Sequence, residues 1–328
     1  MGLIDDHHEA IAKMRRVAEM KRVVDFIRRI FGTHKVIWCV NSYVNSRVNS
    51  CEKRLTYELR RNSLIDHIMR SSEQGISNER YANHEIIVSL TTYGRRIYDV
   101  AFTIESIMQQ SMKANRIILW LDNSYLNKRL PSYLYKQKDR GLEIRFCRNM
   151  RSYKKMIPSL RCFPDDAIIT IDDDALYDND LLECLIVPYL ADPQYIYCHR
   201  SHRMTFDDGG SILPYNQWQW CSSNEEPSHL NFATGCGGIL YPPHCLDNEV
   251  YNESVFLDIC KYNDDIWFKA MAIKKGTLVK KVNSRSKKGE DYILNEDVQD
   301  IGLYNTNKAL NDTQIKAVFS KYGLFDKM

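Results

Sequence analysis

No run of the ~18 consecutive apolar residues that a membrane-spanning helix needs occurs in this chain. Its first ten residues are acidic and polar rather than a basic stretch leading into an apolar one. Neither a membrane span nor a secretory leader is therefore expected. There are ten cysteines but no CxxC pair. The nearest approach to a zinc pattern, Cys198-His199-His202, lacks a second pair of ligands, so neither a zinc module nor a disulfide framework is read from it. Scattered thiols suit a reducing compartment, and the expected location is cytoplasmic. The formal net charge is only +3, and no basic run is interleaved with stacking aromatics, so nucleic acid is not an expected partner. Proline is missing from the first 80 residues, and there is no internal repeat.

What is present is ordinary for a globular protein. The 328 residues are 44% hydrophobic and 27% charged, enough for one large domain or two modest ones. Residues 1–83 read as a helical extension. Val17, Met20, Val24, Ile27 and Phe31 recur at spacings of three and four, which marks one helix face. Arg15, Arg16, Lys21, Arg22, Arg28 and Arg29 occupy the other. A basic amphipathic helix of this kind packs on the protein's own body, packs on a second copy to make a homodimer, or lies on an anionic membrane as a peripheral contact. A second helical stretch over about 51–71 and a polar linker over 72–83 complete the extension.

From His84 strands and helices alternate at short spacing. Strands are expected over 85–91, 116–121, 142–147, 167–171 and 194–198, with helices over 97–110, 130–137, 153–160 and 179–190. That order predicts an α/β fold, a mostly parallel sheet flanked by helices on both faces. The alternation stops near His199. A glycine-, tryptophan- and asparagine-rich region follows, then an amphipathic helix stopped by Gly276, and then a tail, 286–328, with a last helix near 313–322.

The chemistry centres on ITIDDD, where an apolar β-rich run ends in Asp172, Asp173 and Asp174. Three adjacent carboxylates repel one another unless a cation sits among them, and open α/β sheets bind ligands at the carboxyl ends of their strands. Hard oxygen donors in this number suit Mg²⁺ or Mn²⁺. The opposing reading is an acidic helix N-terminus favoured by the dipole. About 90 residues later comes a second acid pair, Asp264-Asp265, just before a helix. It is either ordinary capping or the source of a general base. The first strand ends in TTYGRR, where Arg95 or Arg96 is a candidate phosphate contact.

Taken together, these stretches resemble glycosyltransferases of the GT-A fold, closest in style to the bacterial family 2 enzymes with a DXD motif. The resemblance rests on IIVSLTTYGRR, the strand end at Asp122, ITIDDDALYDNDLL, TGCGGILYP and NDDIWFKA, in that order, and covers roughly residues 84–280. It implies a catalytic domain over 84–285, divided into a nucleotide-binding half (84–200) and an acceptor half (201–285). It also implies that Thr91, Tyr93, Arg95 and Asp122 hold the nucleoside and its neighbouring phosphate. Lys155, with Lys154 as the near alternative, stands where the family places a base near the nucleotide. Asp172, Asp173 and Asp174 would bind ribose and a Mn²⁺ or Mg²⁺ ion bridging the diphosphate, with Asp174 the first choice of metal ligand and Asp172 the second. Gly237 belongs to the glycine loop beneath the sugars. Asp265, with Asp264 as runner-up, would deprotonate the acceptor hydroxyl. Trp218, Trp220 and Trp267 are candidates to stack on sugar faces, Trp267 having helix core as its other reading.

The implied activity is metal-dependent transfer of a sugar from a nucleotide-diphosphate sugar, UDP-linked by preference, to a hydroxyl of a glycan or lipid-linked glycan acceptor. It would invert the anomeric centre and serve surface polysaccharide synthesis. One departure stands out: no histidine follows His244, whereas many such enzymes place a histidine metal ligand near the domain end. Water and diphosphate, or an Asp or Asn of the tail, would then complete the coordination, and the basic pair Lys287-Lys288 is a candidate to close over the diphosphate. Two alternatives stand beside this reading. A sugar nucleotidyltransferase would carry a glycine-rich basic loop after the first strand, and TTYGRR has one glycine. A non-catalytic carbohydrate-binding or scaffold protein would need both acid groups to be structural.

Overall fold

The computed structural model describes residues 14–23, 25, 34–283, 292–301 and 304–328. Val24, Ile27 and Phe31 of the expected apolar stripe, and Lys287 and Lys288, lie outside the described residues. The chain divides into two compact units, Met1–Ser63 and Leu64–Met328. In the first, 14–23 is helical, with Met14, Met20 and Val23 exposed. Helix α1 (His34–Arg70) is one unbroken element of 37 residues, where a helix starting near Cys51 was expected. Its sequence contains neither glycine nor proline to stop it earlier. Among the described residues no helix is long and apolar enough to cross a membrane.

The second unit is the α/β body. Its elements run β1 (Ile86–Thr91), α2 (Val100–Met108), β2 (Arg116–Asp122), α3 (Ser132–Lys138), β3 (Leu142–Cys147), α4 (Ile157–Cys162), β4 (Ala167–Thr170), β5 (Ala175–Tyr177), α5 (Leu181–Ala191), β6 (Ile196–Cys198), β7 (Ser201–Arg203), β8 (Asn231–Ala233), β9 (Ile239–Tyr241), α6 (Glu253–Ile259), α7 (Asp264–Lys275), β10 (Val279–Lys281), β11 (Tyr292–Leu294) and α8 (Tyr304–Tyr322). Seven strands form one sheet in the order β10-β6-β9-β4-β1-β2-β3. Every pairing in it is parallel except those of β9, which runs antiparallel to both β4 and β6.

Burial on both faces explains the near-continuous apolar runs of the central strands. On β1, Ile86, Val88 and Leu90 face a core shared with α2 and α5, while Ile87 packs on the other side. On β4, Ile169 joins that first core, and Ile168 joins a second one built with Trp267, Phe268 and Met271 of α7 and Ile315, Val318 and Phe319 of α8. Each such buried side chain contributes about 1.5–3 kcal/mol relative to exposure. The mostly parallel, helix-flanked sheet expected from the alternation is the one observed.

The region after His199, where the alternation breaks, still supplies two strands of the main sheet, β9 and β10. Each is only three residues long, too short to show a period. Gly276 ends α7 in the left-handed conformation (φ 89°), as its position after the apolar stripe predicts.

Candidate active site

The carboxyl ends of β1, β2 and β4 open into a cavity of about 1480 Å³, more than a single small ligand requires. Thr91, Tyr93, Asp122, Lys154, Lys155, Asp172, Asp173, Asp174, Trp220, Asp264 and Asp265 all line it, so most of the residues singled out from the sequence meet in one place.

Lys155 sits at the centre. The turn that carries it is tied to the sheet by Ser89, a buried polar residue on β1, whose Oγ donates to the Lys155 carbonyl oxygen at 2.5 Å. The preceding Tyr153 is stacked on Phe256 at 4.0 Å and donates to the Cys260 carbonyl. Lys155 Nζ lies 2.9 Å from Asp172 Oδ1 and 3.2 Å from Asp264 Oδ2. Burial alone would push this ammonium down, but Asp172, Asp264 and Asp265 together drive it well above the ordinary lysine value. Above the cluster lies Gly235. A Cβ there would stand 2.8 Å from Lys155 Nζ, 3.2 Å from Asp172 Oδ1 and 3.4 Å from Asp265 Oδ1. The strand-end acids and the helix-start acids therefore converge on one point, and that point is kept clear by the absence of a side chain.

The capping duty at α7 falls to Asn263, whose side chain accepts from the Ile266 N–H at 3.3 Å and is itself held by Asn311 of α8 at 2.9 Å. Asp264 and Asp265 are thus released from capping. Asp265 accepts from the Gly235 N–H at 3.1 Å. Burial pushes its carboxyl up, Lys155 opposes and Asp264 and Asp172 add to the rise, leaving it at about 7.

The three consecutive acids divide their work. Asp172 keeps the most open side chain, 32% exposed, with its N–H held by the Tyr177 hydroxyl. Asp173 is buried against Arg96 at 2.9 Å; burial lifts its carboxyl to about 6 against the pull of that guanidinium. Asp174 is met by Arg96 at 3.0 Å and by Gln299 Nε2 at 2.8 Å. Burial and the charge of Asp172 both raise its carboxyl. Residues 292–301 close this side: β11 pairs antiparallel with β5, Asn295 N–H donates to the Asp174 carbonyl and Arg96 donates to the Val298 carbonyl. These tail contacts were not readable from the sequence, because the pairing spans more than a hundred residues and both strands are three residues long.

On the β2 side, Asp122 accepts from the Ser124 N–H at 2.9 Å and faces Lys154 Nζ at 3.4 Å. Burial would raise its carboxyl, but those two partners hold it below the usual value. Thr91 donates to the Trp120 carbonyl at 2.8 Å. Tyr93 keeps 38% of its surface in the open and carries the Arg96 guanidinium over its ring.

Several expected residues lie elsewhere. Arg95 turns outward and pairs with Asp300, so of the two arginines it is Arg96 that lines the cavity. Trp218 is buried in the core, edge-on to Phe232, with its indole N–H on the Leu213 carbonyl. Trp267 is likewise fully buried. Gly237 does not line the cavity, and a Cβ on it would come within 2.8 Å of Arg200 Cβ. Its role is to admit Arg200, which does line the cavity and which the sequence did not flag.

Among the described residues no group of three or more Asp, Glu, His or Cys side chains is arranged to hold a metal ion by itself. The donor chemistry does fit a divalent cation shared with an anionic ligand. Asp172 and Asp174 repel each other enough to raise Asp174, and both line the cavity.

No family model matches the chain, and no curated protein does. Among solved structures it is similar to the mannosyltransferase PcManGT from Pyrobaculum calidifontis, determined in complex with GDP-Man and Mn2+. The identity is 14% over 45% of this chain and 43% of that chain, with a TM-score of 0.29. The chain thus matches less than half the length of that protein.

Proposed function

We propose that the protein is a glycosyltransferase of the GT-A type, moving a sugar from a nucleotide-diphosphate donor, UDP-linked by preference, to a hydroxyl of a glycan or lipid-linked acceptor. The observation that carries this reading is the convergence of Asp172, Lys155, Asp264 and Asp265 around Gly235 at the carboxyl end of a parallel sheet. Acids that only stabilised structure would not need to meet inside a large cavity beside a residue that leaves the space open.

Asp122 and Tyr93 flank the space for a nucleoside, the latter offering an open aromatic face. Asp172 and Asp174 would hold the divalent cation, Asp172 being the less encumbered of the two. The cation, when bound, supplies positive charge against the departing diphosphate. Asp265 takes the proton from the acceptor hydroxyl as that oxygen attacks the anomeric carbon. The bond from that carbon to the diphosphate breaks, and single displacement inverts the centre. A carboxyl raised to about 7 is a capable base near neutrality. Lys155 bridges Asp172 and Asp264 and holds both in place.

A thermal-shift panel of UDP-, GDP- and dTDP-sugars with Mn²⁺ tests the reading. Stabilisation by at least one donor that disappears with EDTA is expected. No response to any nucleotide, with or without metal, would remove it.

A further inference from the structure

The bases that line the buried part of the cavity carry acidic partners. Arg96 meets Asp173 and Asp174, Lys154 meets Asp122, and Lys155 meets Asp172 and Asp264. Arg151 and Lys261 lie over the Tyr262 ring. Arg200 differs. Its guanidinium is largely withdrawn from water, and among the described residues no carboxylate lies within ion-pair distance of it. Its Nη1 donates to Thr234 Oγ1 at 3.0 Å and to Cys236 Sγ at 3.3 Å, both neutral acceptors. Burial pushes the Cys236 thiol and the Tyr292 phenol up, so neither supplies a negative charge at neutral pH.

A guanidinium taken out of water without a counter-anion is costly. Yet the chain makes room for this one. The Arg200 carbonyl accepts from the Thr234 N–H at 3.1 Å, and position 237 is a glycine where a Cβ would collide with the Arg200 backbone N at 3.0 Å.

Beside Arg200 stands an aromatic wall. Trp220 and His202 lie 4.7 Å apart at an interplanar angle of 34°, and Tyr215 packs edge-on to both. All three line the cavity, and Trp220 is 39% exposed. His202 Nδ1 accepts from the Cys221 N–H at 3.0 Å, and burial together with Arg200 lowers the ring to about 4, so it is neutral. The acid nearest this wall, Asp312, accepts from the Tyr215 N–H at 2.7 Å and makes no ion pair with Arg200. An aromatic surface next to a guanidinium that has neutral partners but no carboxylate matches a sugar ring that carries a carboxylate or phosphate.

We infer that Arg200, with Thr234, forms an anion subsite that recognises an acidic saccharide, so that the sugar acceptor bears a carboxylate or phosphate. The inference names the acceptor class of the site proposed above and rests on that reading for the word acceptor; the subsite itself does not depend on it.

The test uses the full chain and Arg200→Met, with calorimetric titration of two matched pairs, glucuronic acid against glucose and glucose 6-phosphate against glucose. UDP with Mn²⁺ is titrated separately. The wild type should bind at least one anionic member about tenfold or more tighter than its neutral partner. That preference should vanish in Arg200→Met while UDP binding stays the same. The carboxylate and phosphate arms tell the two anions apart. Arg200→Met should melt no lower than the wild type, because it removes a largely buried charge that has no counter-anion, whereas a structural arginine would lower the melting temperature. Equal binding of charged and neutral sugars by the wild type, or a preference that survives in Arg200→Met, overturns the subsite. If Arg200→Met loses UDP instead, Arg200 serves the donor diphosphate and the acceptor assignment falls. If the wild type binds acidic sugars but no nucleotide, the subsite stands and the transferase reading fails.

Discussion

The two sides of the cavity are built on opposite principles. At the strand ends charge meets charge: Arg96, Lys154 and Lys155 each rest on carboxylates, and Asp172 is left half-open among them. On the far side, between β6 and the glycine loop, the Arg200 guanidinium stands beside aromatic side chains with no carboxylate in ion-pair reach among the described residues. At the strand ends Asp122, Asp172, Asp173, Asp174, Asp264 and Asp265 outnumber Arg96, Lys154 and Lys155, so that side takes in a diphosphate only with added positive charge, which on the proposed reading a divalent cation supplies. A side with surplus positive charge takes in an anion directly. On the proposed reading, the contrast fits metal-assisted binding in one half and metal-free anion binding in the other.

The sharpest way to break this contrast is at the base. Asp265→Asn keeps shape and removes proton affinity, and kcat should fall about 10³-fold, read by product formation at saturating donor. In the wild type, kcat/KM should rise with pH and level off above about 7, since the protonated Asp265 that prevails below that value cannot accept a proton. A flat profile between pH 5 and 8 would move the base elsewhere.

Next in size is Trp218→Ala, which should cost about 3–5 kcal/mol of stability by denaturant unfolding, as for a large core aromatic. Trp220→Ala, two residues on, should leave stability nearly unchanged and weaken saccharide binding. Equal melting of the two variants would contradict their different placement. Lys155→Met leaves Asp172 and Asp264 without their shared cation and should cost about 3–5 kcal/mol, less in the presence of Mn²⁺. The smallest effect is expected from Arg95→Ala, a surface ion pair with Asp300, at about 0–1 kcal/mol and with donor affinity kept.

How far the sequence reached depends on the length of each signal. The strands carrying IIVSL, RIILWL and AIIT announced themselves because both faces are buried, and the carboxyl ends of the last two pointed to Asp122 and Asp172–Asp174 directly. Lys155, with Lys154 as the near alternative, came only from the family resemblance, and both line the cavity. What stayed hidden was set by contacts distant in sequence. Ile239–Tyr241 gives no hint that it enters the middle of a parallel sheet backwards. Arg95 and Arg96 are adjacent and chemically alike, and only the one-residue rotation of the short helical turn decides which faces the acids. Trp218 and Trp220 share a strand-like spacing that should put them on one face, yet the turn at Tyr215–Gln217 sends the first inward to Phe232. Arg200 carried no motif at all; its signal was the glycine at position 237, which reads as a sugar loop until the arginine beneath it is seen.

The central claim is that the strand-end and helix-start acids form one metal-assisted nucleotide-sugar site. It is tested most directly by titrating UDP into the protein with and without Mn²⁺, in the wild type and in Asp172→Asn. The account predicts binding that needs Mn²⁺ in the wild type and is weakened about tenfold or more in Asp172→Asn. Binding of equal strength with and without the metal, or unchanged in Asp172→Asn, would contradict it.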